Sequence, residues 1–213
     1  MKIFIASLCL LCISSSLVAQ IGTTIVLNPP DMTRSSSMMK AFSERASGKT
    51  FDTTSIALQD LSDLLWAANG VNRPADGKRT APSAMNYQDV DVYVCLHSGV
   101  YLYDAKKHAL EFIASGDHRK EAAGRQENFA TAPVFLLLIS DISRFRSGAD
   151  SGRVVLAAED AGMVSQNISL FCASAGLSTR PRATMDEQQL RGALKLKSSQ
   201  RLMLNHPVSY KKE

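Results

Sequence analysis

Positions 43–51 read SERASGKTF and set Arg45, Ser47 and Lys49 at every second residue, with Gly48 between the last two. At strand-like spacing these three side chains share one side of the chain. A guanidinium, a hydroxyl and an ammonium converging from one direction suit an oxyanion such as a phosphate, because charge-assisted hydrogen bonds to anionic oxygens are the strong ones. A solvated polar turn after a helix has the same composition, so the rest of the chain must decide. Hydrolytic and metal chemistry find little support. His97, His108, His118 and His206 show neither His-x3-His nor His-Glu-x2-His spacing, and there is no Gly-x-Ser-x-Gly elbow or Walker loop. No metal site is expected and no catalytic side chain stands out. A reaction carried by a bound cofactor would need none.

The elements that must position these residues follow a leader. Lys2 precedes an apolar run from Ile3 to Ile13 and a small-residue exit ending in Ala19. These are the parts of a secretory signal, so residues 1–19 are expected to be a signal peptide and the protein to be exported, periplasmic or secreted. The run is shorter than the ~20 apolar residues of a membrane span. Cys9 and Cys12 follow leucines, which argues against a lipid anchor. Of the remaining cysteines, Cys95 lies in an apolar alternation and Cys172 in an apolar helical pattern, so both read as core residues rather than disulfide halves. The leader carries Lys2 as its one charge, so the formal net charge of +4 falls to +3 without it. That is too slight to imply nucleic acid.

Residues 20–35 contain Pro29-Pro30 and little periodicity, and read as an N-terminal arm. A single domain is expected over 36–213. Ser36 or Ser37 can cap a first helix that ends near Gly48. Ser55 can cap a second, with Leu58, Leu61, Leu64, Leu65 and Ala68 as its apolar stripe and Gly70 as its stop. A polar loop over 72–80 follows. Alternation through Val90, Val92, Val94 and Leu96, then 100–103 and 110–113, predicts three antiparallel strands. Residues 117–128 read as a polar helical segment, and the wholly apolar VFLLLI at 134–139 as a buried central strand. A long helix is predicted over 151–175, closed by Gly176, apolar nearly all round and therefore buried on more than one side. Asp186 caps a short helix, and 201–210 reads as a last strand.

Four features in this order resemble the FMN-dependent nitroreductase family and span nearly all of the chain after the leader. Arg45-Ala46-Ser47-Gly48-Lys49 is similar to the family's Arg-x-Ser-x-Arg/Lys signature, which holds the FMN phosphate and the polar side of the cofactor. Pro82-Ser83-Ala84-Met85-Asn86-Tyr87-Gln88 resembles Pro-Ser-x-x-Asn-x-Gln, contributed to the flavin site by the partner subunit. Asp160-Ala161-Gly162 and Gln166-Asn167 resemble the central helix that packs across a homodimer. Gly176-Leu177 leads into a loop with Pro181 and Asp186, where the family presents backbone N–H groups to the flavin ring. The Pro82 motif, the strands after it and Pro207-Val208-Ser209-Tyr210 most resemble the branch that includes azoline (thiazole/oxazole) dehydrogenases.

The resemblance implies an α+β fold, a mixed sheet flanked by helices, in an intertwined homodimer with FMN at each of two subunit-boundary sites. It implies FMN contacts from Arg45, Ala46, Ser47 and Lys49, from Pro82, Ser83, Ala84, Asn86 and Gln88, and from Pro181, Arg182, Ala183 and Thr184. Lys211 or Lys212 takes the place of a basic residue that relatives direct to the phosphate. The implied chemistry is hydride transfer at flavin N5, ping-pong, on a small organic substrate. Ala183-Thr184 stands where several family members carry Glu-Gly, between Arg180 and Arg182, which favours an anionic substrate if these cations are solvent-facing. Export would separate the protein from NAD(P)H and leaves the electron donor open. A flavin-binding or sequestering protein without turnover is the alternative.

Overall fold

The computed structural model describes residues 22–34 and 37–212, so the expected leader and Ser36 lie outside the described residues. In chain order the elements are β1 (Ile25–Val26), α1 (Met38–Glu44), α2 (Leu58–Asn69), β2 (Val71–Arg73), β3 (Lys78–Arg79), β4 (Val90–Leu96), β5 (Gly99–Asp104), β6 (Ala109–Ser115), α3 (Arg119–Ala123), β7 (Val134–Asp141), α4 (Asp150–Ser174), β8 (Leu177–Thr179), α5 (Glu187–Ala193) and β9 (Gln200–Tyr210). Seven strands form one sheet in the order β1-β6-β5-β4-β7-β9-β8, and β2 with β3 makes a separate hairpin. Every strand pairing is antiparallel. The parallel part of the expected mixed sheet is one bridge, Ser47 with Thr179.

β7 is apolar throughout because both of its faces are covered. Val134, Leu136 and Leu138 pack with α2 and α4 residues such as Leu61, Leu64, Ala161 and Ile168. Phe135, Leu137 and Ile139 face Ala122, Ala123 of α3 and Leu190 of α5. The result is an α+β sandwich with α1, α2 and α4 on one side of the sheet and α3 and α5 on the other. Cys95 and Cys172 are buried free thiols, one in each layer, and burial drives both thiols strongly toward the protonated form. No helix among the described residues is long and apolar enough to cross a membrane.

Several local expectations change. The arm is not detached: β1 adds to the sheet edge through Ile25↔Leu110 and Val26↔Ala109, and Asn28 and Asp31 N–H groups donate to Ser62 and Asp63 of α2. Ser37 does cap α1, its hydroxyl accepting from Lys40 N–H at 3.1 Å. Ser55 does not cap α2; the helix starts after Ala57, whose N–H is taken by the Tyr210 hydroxyl at 3.0 Å. α4 is amphipathic rather than buried all round. Ala157, Ala161, Val164, Ser165, Ile168 and Cys172 recur at helical spacing and face the sheet, whereas Val155, Gly162 and Met163 point outward. Small residues at the first set let the helix approach its own sheet closely.

His206 fixes α4 to that sheet. The imidazole is wholly buried on β9, with Ser165 Oγ 2.8 Å from Nε2 and Thr179 Oγ1 3.1 Å from Nδ1. Thr179 donates its own proton to Pro207 C=O at 2.9 Å, which makes it an acceptor and assigns Nδ1–H as the donor and Nε2 as the acceptor from Ser165. The ring is therefore neutral, and burial without a carboxylate lowers its pKa to about 3. Below the ordinary value of 6.5 the unfolded chain binds this proton and the folded chain does not, so stability falls as pH drops from about 6.5 toward 3. At pH 4.5 the expected loss is about 3 kcal/mol at ~1.4 kcal/mol per pH unit. Chemical denaturation across this range checks it: His206→Gln should flatten the acid limb, and an unchanged limb would refute the assignment.

Candidate functional site

Residues 45–49 run beside β8, where Gly48 N–H donates to Thr179 C=O at 2.8 Å. A Cβ on Gly48 would meet Ser178 Oγ and press on Phe51 at 3.1 Å, so a larger residue would make these side chains shift. A cleft of about 90 Å³ opens between this segment and the C-terminal end of α4, lined by Ala46, Ser47, Gly48, Ser169, Ala173 and Lys211. Lys211 is delivered by the end of β9 and held by its N–H to Gly176 C=O at 3.1 Å, while Gly176 itself has φ +72° after α4. Arg45, Ser47, Lys49 and Lys211 are exposed, and the three cations form no ion pair among the described residues. Ser47 and Lys211 on the cleft, with the exposed Arg45 and Lys49 next to Ser47 in the chain, are donor types that suit a phosphate.

Residues 82–88 form a tight turn whose geometry is unusual for side-chain-bearing residues. Met85, Asn86 and Gln88 all have positive φ, 49°, 56° and 50°. Ser83 Oγ accepts from Gln88 N–H at 2.9 Å and Ala84 N–H donates to both Asp160 oxygens at 2.9 Å. The Gln88 amide is engaged inside the hairpin, donating to Gly77 C=O at 3.0 Å and accepting from Arg79 Nε at 3.0 Å. Gln88 is thus a clamp for the turn, a correction to its expected place among groups that touch the cofactor. Pro82, Met85 and Asn86 are exposed.

The third segment, 181–184, also departs from expectation at Arg182. This side chain is 6% exposed and not a loop cation. Its guanidinium donates to Gln126 Oε1 at 3.0 Å, Asn205 Oδ1 at 2.9 Å and the carbonyls of Ala123 and Ala122 at 2.5 and 3.4 Å. It lies 4.9 Å above the Phe129 ring, and Arg180 sits 5.6 Å from the same ring. The Arg182 N–H and C=O bond Asn205 of β9 at 2.9 and 2.7 Å. Arg182 therefore anchors the loop, and it cannot supply charge to a substrate. Neither Ala183 nor Thr184 N–H meets an acceptor among the described residues. Both residues line a cleft of about 790 Å³ with Lys120, Glu121, Arg125 and Glu127 on the opposite side.

The cationic cleft and the strained turn lie at different stations on α4. Asp160, under the turn, and Cys172, in the wall of the cleft, are twelve residues apart, or about 18 Å at 1.5 Å rise per residue. Within one chain the two groups do not meet. Sequence reasoning missed the residues that hold them: Asp89, Asp160, His206, Arg79 and Arg144. Asp160 was visible as part of a motif, but a carboxylate on a helix carries no sign of what it holds.

The chain is a two-layer α+β domain with exposed cations at Arg45 and Lys49 and unpaired backbone N–H groups at Ala183 and Thr184, beside separate clefts. The chain belongs to the nitroreductase family: the family's profile matches residues 42–210. A protein of Methanocaldococcus jannaschii named as a nitroreductase is 29% identical over 202 residues, 90% of this chain and all of that one. The crystal structure of a protein named as a nitroreductase from Ralstonia eutropha is 32% identical, covers 92% of this chain and 93% of its own, and has a TM-score of 0.85. The Escherichia coli microcin synthetase McbBCD complex with truncated pro-MccB17 bound contains a chain of the same fold, with TM-score 0.72, 17% identity and coverage of 100% and 85%.

Replacing Arg182 by alanine removes a buried guanidinium and leaves the wholly buried Asn205 Oδ1 without a donor. The expected loss of stability is about 2–4 kcal/mol, from an unsatisfied polar group and the cavity left behind. Urea denaturation measures it, and a loss under about 0.5 kcal/mol, typical of surface charge, would contradict the anchoring role.

Proposed function

We propose that this chain is an exported FMN-dependent oxidoreductase that works as a homodimer and oxidises or reduces a small organic substrate by ping-pong hydride transfer. The observation that carries the reading is the 45–49 stretch, whose exposed Arg45 and Lys49 form no ion pair among the described residues, beside a cleft lined by its Ser47 and by Lys211. These groups hold the phosphate of FMN. Ala183 and Thr184 offer N–H donors to the polar edge of the ring, where positive electrostatics favour the reduced, anionic form. Bound FMN supplies the hydride-accepting and hydride-donating centre, N5. Pro82, Met85 and Asn86, about 18 Å along α4 from the phosphate cleft in their own chain, complete the site of the partner. Export rests on residues 1–19, and it disfavours NAD(P)H as the physiological donor.

The Pro82 turn and the closing Pro207-Val208-Ser209-Tyr210, together with the fold shared with the microcin synthetase chain, support placement beside the azoline dehydrogenases. A dehydrogenase that passes electrons onward suits an exported enzyme. Ala183-Thr184 in place of Glu-Gly gives the alternative, flavin binding without turnover, its one specific support. Turnover of the purified yellow protein with dithionite-reduced or other artificial donors separates the two.

Heat denaturation followed by an absorbance spectrum of the supernatant should release non-covalent FMN, or added FMN should bind. Absence of both would sink the reading. Arg45→Ala should weaken FMN binding by about 1.5–3 kcal/mol, the worth of a hydrogen bond to a charged group, with the fold intact because Arg45 is exposed. Fluorescence titration that finds wild-type affinity would refute the phosphate assignment.

A further inference from the structure

Two carboxylates lie beneath the strained turn with no cation among the described residues bonded to either. Asp89 is wholly buried just before β4 and Asp160 is 6% exposed on α4. Ser140 Oγ donates to Asp89 Oδ2. Asp89 Oδ1 is buried and finds no donor among the described residues, and the Asp160 carboxyl lies beside the Asp89 carboxyl. Both Asp160 oxygens already accept the Ala84 N–H. The charged groups around the pair are engaged elsewhere. Arg144 donates to Gln88 C=O and to Asp91 Oδ2, each at 2.6 Å, and Arg79 donates to Gln88 Oε1 and Asn69 C=O. Asp141, at the end of β7, donates its N–H to Asp89 C=O at 2.9 Å, and its carboxylate accepts from Ser143. Two buried carboxylates in contact cannot both be ionised without a compensating cation.

We propose that Asp89 and Asp160 share one proton, carried on Asp89 Oδ1 and donated to Asp160, and that this proton holds the 83–87 turn in its left-handed form. Both are positioning residues: they act through Ala84 and the turn, and touch no cofactor. The proposal that the turn serves the flavin site rests on the function proposed above; the shared proton does not. Burial, and then the Asp160 carboxyl beside it, raises the pKa of Asp89 to about 7. The folded chain therefore holds a proton that the unfolded chain releases near pH 3.8. Stability from the Asp89 proton is full below about pH 4 and declines until about pH 7. In the folded protein, the form that holds the turn is titrated away through pH 7.

The test uses the full mature chain, first without flavin. Infrared spectroscopy should show a protonated-carboxyl C=O band that disappears with a midpoint near pH 7. The band should be missing in Asp89→Asn, whose amide donates to Asp160 without a titrating proton, and in Asp160→Asn, whose amide donates to an ionised Asp89. With FMN added, wild-type affinity should fall about tenfold between pH 6 and pH 8, as a single group of pKa near 7 requires, and that of Asp89→Asn should change less than twofold. A band that persists in either variant, or none in the wild type, overturns the shared proton. A band that behaves as expected with FMN affinity equally pH-dependent in wild type and Asp89→Asn overturns the link to the cofactor. If FMN fails to bind at any pH, the functional reading fails while the infrared result still decides the proton.

Discussion

A neutral imidazole buried between three elements fixes the distance on which the site depends. Through Ser165 and Thr179, His206 ties α4 to β9 and β8. β8 in turn carries residues 45–49 by the Ser47 bridge. The far end of the same helix holds the 82–88 turn through Asp160. α4 therefore acts as a rigid ruler with the Ser47–Lys211 cleft at one station and a strained turn at the other. Neither group can move toward its counterpart without breaking buried hydrogen bonds, each of which leaves a desolvated polar atom behind.

A second chain is the simplest way to bring the two together. The outward face of α4 offers Val154, Val155 and Met163, and α1 beside it exposes Met38, Met39 and Phe42. Exposed large apolar side chains clustered on neighbouring elements mark an interaction site. Gly162 sits in this face with open space over its missing side chain, which permits close helix approach. In the proposed homodimer the helices cross, so the turn of one chain lies over the cationic cleft of the other.

Elements with strong periodicity were legible in the sequence. The three-strand meander, β7, the long helix and the last strand all occur where alternation or helical spacing placed them, because burial on a sheet face or helix stripe writes itself into the residue order. Short features were not. β1 has two residues, too few for a pattern, and is held by partners more than 80 positions away. Ser55 had the chemistry of a cap, but the tertiary contact from Tyr210 took over the end of α2. Of the candidate site, the cationic cluster was legible because Arg45, Ser47 and Lys49 are local. Arg182 was misread, since only the fold reveals that Asn205, Ala123 and Phe129 surround it. The carboxyl pair is 71 residues apart in sequence and could be recognised only after folding.

A hybrid dimer tests most directly whether each site is made from two chains. One differently tagged chain would carry Arg45→Glu with Lys49→Glu, and the other glycines in place of residues 83–87. Each homodimer lacks half of every site. In the hybrid, one site joins two damaged halves and the other joins two intact halves, so bound FMN in the doubly tagged fraction should reach one per two chains. A hybrid that binds no FMN, while the wild-type dimer binds two, would mean that each site lies within a single chain, and would contradict the account.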